Sequence, residues 1–219
     1  MKKYILHLFT PVCLLLIVLG LSSPFVAEGR IGESKRQIEN RLFDSGGIIY
    51  RDENTRNNLV KRAPYSNYLS YFDRSVEVRV YFKTADGSNP TTRELNKGNV
   101  QGWEMHVVYA GGRSIIEVYK KDGGMTEYER NGLLNKHAGN SYWKTKKQEQ
   151  EEQEQEEKGE EEETAPSVFG YDMVRNDGEI RAKKAGGGLM FFDAEVDEKL
   201  AEIKEEDLQE KAPTSVKGF

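Results

Sequence analysis

The run from Trp103 to Lys120, WEMHVVYAGGRSIIEVYK, constrains the fold more than any other stretch, because it reads as two strands closed by Gly111-Gly112. Glycine reaches positive φ without steric cost, so a Gly-Gly pair between alternating apolar runs predicts a two-residue hairpin. That loop length sets a register in which Ala110 faces Arg113, Tyr109 faces Ser114, Val107 faces Ile116, His106 faces Glu117 and Met105 faces Val118. Alternation then puts Trp103, Met105, Val107, Ile116 and Val118 on one face, with Glu104, His106, Ile115, Glu117 and Tyr119 on the other. One face is apolar and one mixed, the pattern of an antiparallel sheet with its core on one side.

The flanking chain adds helices and further strands. Ser34 followed by Gln37, and Thr126 followed by Glu129, have the capping-box spacing that satisfies orphan backbone N–H groups. Helices are expected after each. The first carries Ile38 and Leu42 and stops at Gly46-Gly47; the second carries Leu133, Leu134 and Ala138 and stops at Gly139, with Gly132 an unfavourable interior residue. Ile48 to Tyr50 reads as a strand, and Val76 to Phe82 alternates as one. Arg51 to Tyr68 has no sustained period and reads as loop with room for a turn of helix, and the polar connection Thr84 to Gly102 reads as loop.

Lys146 to Glu163, KKQEQEEQEQEEKGEEEE, has almost nothing to bury and reads as a solvated, partly helical linker. Beyond it, Asp177-Gly178 predicts a second hairpin, Leu189 to Phe192 a short buried strand, and Asp193 the cap of a helix with Val196, Leu200 and Ile203 on one stripe. The expected fold is α+β: an antiparallel sheet with short helices on one face, a disordered acidic insertion, and a C-terminal hairpin plus helix. The expected divisions are a leader at 1–29, an α+β domain at 30–145, the acidic linker at 146–165 and a C-terminal unit at 166–219 that docks on the first.

Lys2 and Lys3 precede an apolar run unbroken from Val12 to Leu19, and Ala27-Glu28-Gly29 offers small residues for cleavage. This is the layout of a secretory signal peptide, with an uncleaved anchor as the alternative. Cys13, the single cysteine, lies inside that run, so a cleaved chain has no disulfide, thiolate nucleophile or thiolate metal site. A net charge of -5 argues against a nucleic-acid footprint.

No catalytic constellation emerges. There is no G-x-S-x-G elbow, and Gly186-Gly187-Gly188 lacks the lysine and hydroxyl of a phosphate loop. No cofactor or metal is implied. The expected His106–Glu117 pair supports acid-base chemistry in principle, but a cross-strand ionic pair is the simpler reading. His137 reads as a dipole partner near a helix C-terminus. Ile115, Tyr119, His106 and Glu117, all expected on the mixed face, form the candidate interaction face.

The starts Gly32-x-Ser34-x-x-Gln37-Ile38 and Gly124-Met125-Thr126-x-x-Glu129 resemble the helix starts of small envelope proteins of the BamE/SmpA-OmlA kind. That resemblance implies helices on a small antiparallel sheet and a non-enzymatic accessory role in an outer-membrane assembly. The functional expectation is an exported, extracytoplasmic interaction or structural module of the cell envelope with a protein partner. The alternatives are a small hydrolase using His106 and Glu117, and an anchored protein whose acidic run gathers cations or basic partners.

Overall fold

The computed structural model describes residues 30–72, 76–88, 90–96, 100–156 and 166–215. The expected signal segment lies outside them, as do residues 157–165 of the acidic run. Eight antiparallel strands form one sheet in the order β1-β2-β3-β4-β8-β7-β6-β5. They are β1 (Ile48–Ile49), β2 (Glu77–Thr84), β3 (Gly102–Ala110), β4 (Arg113–Lys121), β5 (Trp143–Thr145), β6 (Met173–Arg175), β7 (Ile180–Ala185) and β8 (Gly188–Asp193). The strands after the acidic run join the same sheet, with Ile116 opposite Phe192 and Val118 opposite Met190 where β4 meets β8. The protein has an α+β fold.

The strand order reads the same from either edge. Each half is a four-stranded meander whose last two strands close on a Gly-Gly turn: Gly111 and Gly112 have φ +55° and +79°, Gly186 and Gly187 +55° and +80°. Positive φ at both positions is the type I′ geometry that matches strand twist, and only glycine adopts it without strain. Each meander follows a helix with a complete capping box, α1 (Lys35–Asp44) from Ser34 and Gln37, and α4 (Glu127–Ala138) from Thr126 and Glu129. Each also carries a helix between its first two strands, α2 (Glu53–Lys61) and α5 (Lys146–Glu156). A five-residue α3 (Thr92–Asn96) lies before β3, and α6 (Ala194–Ser215) follows β8.

Helices cover both faces of the sheet, not one. On face A, α1 and α4 bury Ile38 and Leu134 against Tyr81, Met105, Val107, Tyr119, Leu189 and Phe191. On face B, Tyr65, Val108, Ile116, Val118, Met190, Phe192 and Leu200 of α6 form a second core, extended by Tyr50, Val80, Phe82 and Leu95. The alternation in β8 shows the reason. Leu189 and Phe191 point to one side and Met190 and Phe192 to the other, so both sides exclude water.

One stretch is more helical than its pattern suggests, and the acidic run starts as helix in line with its partly helical reading. Arg51 to Tyr68 contains α2, capped by Asp52 accepting from the Thr55 amide at 2.7 Å, and a 3₁₀ turn over Ser66–Tyr71. Their Leu59, Val60, Tyr68 and Leu69 pack on face B, and that burial outweighs the weak helix preference of a run with four asparagines. The acidic run begins as α5 because Thr145 and Gln148 cap it reciprocally and Tyr171 donates to Glu149 at 2.8 Å.

Candidate functional site

The central hairpin departs from the straight register in one place. Tyr109 pairs with Ser114, but Val108 pairs with Ile116, leaving Ile115 as the extra residue of a β-bulge. From there β4 is shifted by one. His106 faces Val118, and Glu117 faces Val107. A slip of one residue moves every side chain to the opposite face. Glu117 and Tyr119 therefore lie with Met105 and Val107 on face A, while His106 and Ile115 lie on face B.

The bulge divides the four candidate residues and the core buries all of them. His106 sits between Val80 and Val118 in the ladder. Its Nε2 is 2.7 Å from Glu104 Oε1 and its Nδ1 is 2.8 Å from the Tyr65 hydroxyl. Donation from Nε2 and acceptance at Nδ1 satisfy both ring nitrogens. Burial pushes the Glu104 carboxyl up, but its bond to His106 and the nearby Lys120 outweigh this and hold it below the usual range. His106 and Glu117 share no contact, so a His106–Glu117 acid-base pair has no geometric basis.

Glu117 belongs to a different buried cluster. The Tyr119 hydroxyl donates to Glu117 Oε2 at 2.6 Å, and His137 Nε2 lies 3.3 Å from that hydroxyl and 3.7 Å from the same carboxylate oxygen. Since Tyr119 spends its proton on Glu117, it accepts from a proton on His137 Nε2. Burial raises the Glu117 carboxyl to about 7, and burial first, then Arg30 and Arg41, drives the His137 imidazole well below its ordinary value. Both shifts favour the neutral forms. Glu117 Oε1 and His137 Nδ1 are buried without a hydrogen-bond partner.

Directly over Tyr119 a half-open cleft of about 780 Å³ separates α1 from α4. Its lining includes Tyr81, Met105 and Tyr119 from the sheet, with Trp103 at the side and Leu133 and Gly132 on α4. It also holds four cations, Arg30, Arg41, Lys83 and Lys136, against one carboxylate, Glu129. Arg41 pairs with Glu33, and Glu129 with Lys121. Among the described residues Arg30, Lys83 and Lys136 have no ion pair, and no positional signal joins residues 30, 41, 83 and 136 in the sequence. Burial and then Arg30, Arg41 and Lys83 hold the Lys136 ammonium below its ordinary value, so these cations feel one another. Gly132 has open space where a Cβ would stand. The mid-helix glycine thus borders the cleft and makes no tight packing contact.

A larger cleft of about 1020 Å³ near the Asp177-Gly178 turn differs in kind. Its charges are already engaged: Arg175 with Asp177 and Glu179, Glu198 with Arg181, and Asp193 with the Val196 amide. Among the described residues no three His, Cys, Asp or Glu side chains gather as a metal site, and no helix is long and apolar enough to cross a membrane. Comparison of the chain with protein-family models, with curated proteins and with solved structures returns no match.

Proposed function

We propose that this chain is a non-enzymatic interaction module of the cell envelope, exported by its N-terminal segment, that works by holding a binding partner at the cleft between α1 and α4. The observation that carries this reading is the cleft itself. It concentrates cations, three of them without ion pairs among the described residues, over an apolar floor in a chain of net charge -5. By contrast His106 is consumed by internal hydrogen bonds, and Glu117 is buried on the far side of the sheet from it. The resemblance of the two helix starts to those of small envelope accessory proteins points the same way.

The test is capture from native envelope extracts on immobilised full-length protein, beside the same protein carrying Gly132→Trp to fill the cleft. A molecule retained stoichiometrically and unchanged by the wild type, and lost in the variant, supports the reading. A hydrolytic activity abolished by His106→Ala overturns it.

A further inference from the structure

We propose that the α1–α4 cleft binds a small organic anion with an apolar or aromatic body, its charged group held among Lys83, Lys136, Arg30 and Arg41 and its body lying against Trp103, Leu133 and Tyr128. The inference rests on the binding reading above and names the ligand class of that same site.

Three observations converge on it. The first is size: about 780 Å³ falls within the range of clefts that enclose a small molecule. The second is charge. Clustered cations repel one another, and a cluster that remains open and mostly unneutralised lowers its energy by taking an anion. The larger cleft, whose lining carries more carboxylates than arginines and whose Arg175 is already paired with Asp177 and Glu179, offers no such gain. The third is the apolar character of the remaining wall. Trp103 is only partly buried beside Lys121, whose Nζ lies 5.7 Å from its ring centroid, and Tyr128 is 88% exposed at the mouth. A bare inorganic anion would leave those surfaces wet, whereas an amphiphilic one covers them.

Gly132 supplies the means of testing the site without disturbing the core. It stands in α4 with helical backbone, and no heavy atom lies within 4 Å of the position its Cβ would take. A tryptophan there projects from a cleft wall into free space.

The experiment is fluorescence titration of the full-length protein with 8-anilinonaphthalene-1-sulfonate, a flat aromatic anion, and in parallel with its uncharged relative N-phenyl-1-naphthylamine. Saturable one-to-one binding of the sulfonate is expected, with the neutral relative weaker by about tenfold or more. Gly132→Trp should abolish binding, and the double change Lys83→Gln with Lys136→Gln should weaken the sulfonate by about tenfold and the neutral probe far less. Near-UV circular dichroism establishes that each variant is folded.

Equal affinity for the two probes, or sulfonate binding that survives Gly132→Trp, overturns the proposal. If no sulfonate binds while envelope extracts yield a protein retained by the wild type and lost in Gly132→Trp, the ligand class is wrong and the binding reading stands. Chemical turnover of the captured molecule by wild-type protein overturns the binding reading instead.

Discussion

His137 of α4 lies flat on Phe191 of β8, with ring centroids 3.6 Å apart and planes 6° from parallel. The stack holds the imidazole in the core of face A, with its Nε2 3.7 Å from Glu117 Oε2. Neither side chain reaches water, so burial works against both charged forms and the two groups respond to pH in opposite senses.

The consequence for stability follows from linkage. Glu117 keeps its proton in the folded state up to about 7, whereas the unfolded carboxyl loses it near 4.5, so its contribution is lost as pH rises through that window. His137 stays neutral in the folded state below its ordinary value of 6.5, so its contribution is lost as pH falls beneath 6.5. Glu117→Gln should therefore stabilise the protein at pH 8 by roughly 2–3 kcal/mol and change it little at pH 4. His137→Phe should flatten the acid side instead. Urea midpoints at pH 4, 5, 6, 7 and 8 measure both, and a Glu117→Gln effect independent of pH would contradict the assignment.

On face B, Arg181 donates to Asp197 Oδ2 at 2.8 Å, and Asp197 Oδ1 accepts from the Val168 and Phe169 amides at 3.0 and 3.1 Å. Both charged side chains are buried. Asp197→Ala leaves the buried Arg181 with only the more exposed Glu198 as a charged partner and strands two amides, and should cost about 3–5 kcal/mol in urea unfolding. Glu198→Ala, which removes the more exposed partner of the same arginine, should cost under about 1 kcal/mol. Equal losses would show that burial does not decide the energetics here.

Tyr65 is fully buried, and its hydroxyl meets His106 Nδ1. Tyr65→Phe keeps the ring and leaves that nitrogen without its partner, a loss of about 1–3 kcal/mol. The two-dimensional NMR signals of His106 should shift on this change while those of His137, on the other face, stay in place.

At the junction of the two meanders a Cβ on Gly188 would collide with the carbonyl oxygen of Tyr119. Backbone gives way only by opening the β4–β8 ladder. Gly188→Ala should lower the thermal midpoint and speed hydrogen exchange at Ile116 and Val118 together. Gly132→Ala, in a helix with open space at the same atom, should raise stability by about 1 kcal/mol. The same substitution thus has opposite signs at two glycines.

What the sequence determined by itself was local. The capping boxes at Ser34 and Thr126, the Gly111-Gly112 turn and the alternation of β2 each depend on groups within a few residues, so they are legible in order along the chain. The α+β class follows from them. The candidate site was not legible, because it depends on pairing and packing between distant segments. A single extra residue, Ile115, turned Glu117 and Tyr119 to the other side of the sheet, and no local pattern marks where a bulge relieves strand twist. Only the tertiary structure joined β4 to β8, covered both faces, and gathered Arg30, Arg41, Lys83 and Lys136 from separate elements around one cleft. Hydrogen bonds between near neighbours are written in the order of residues, whereas burial and charge proximity depend on which surfaces the fold brings together.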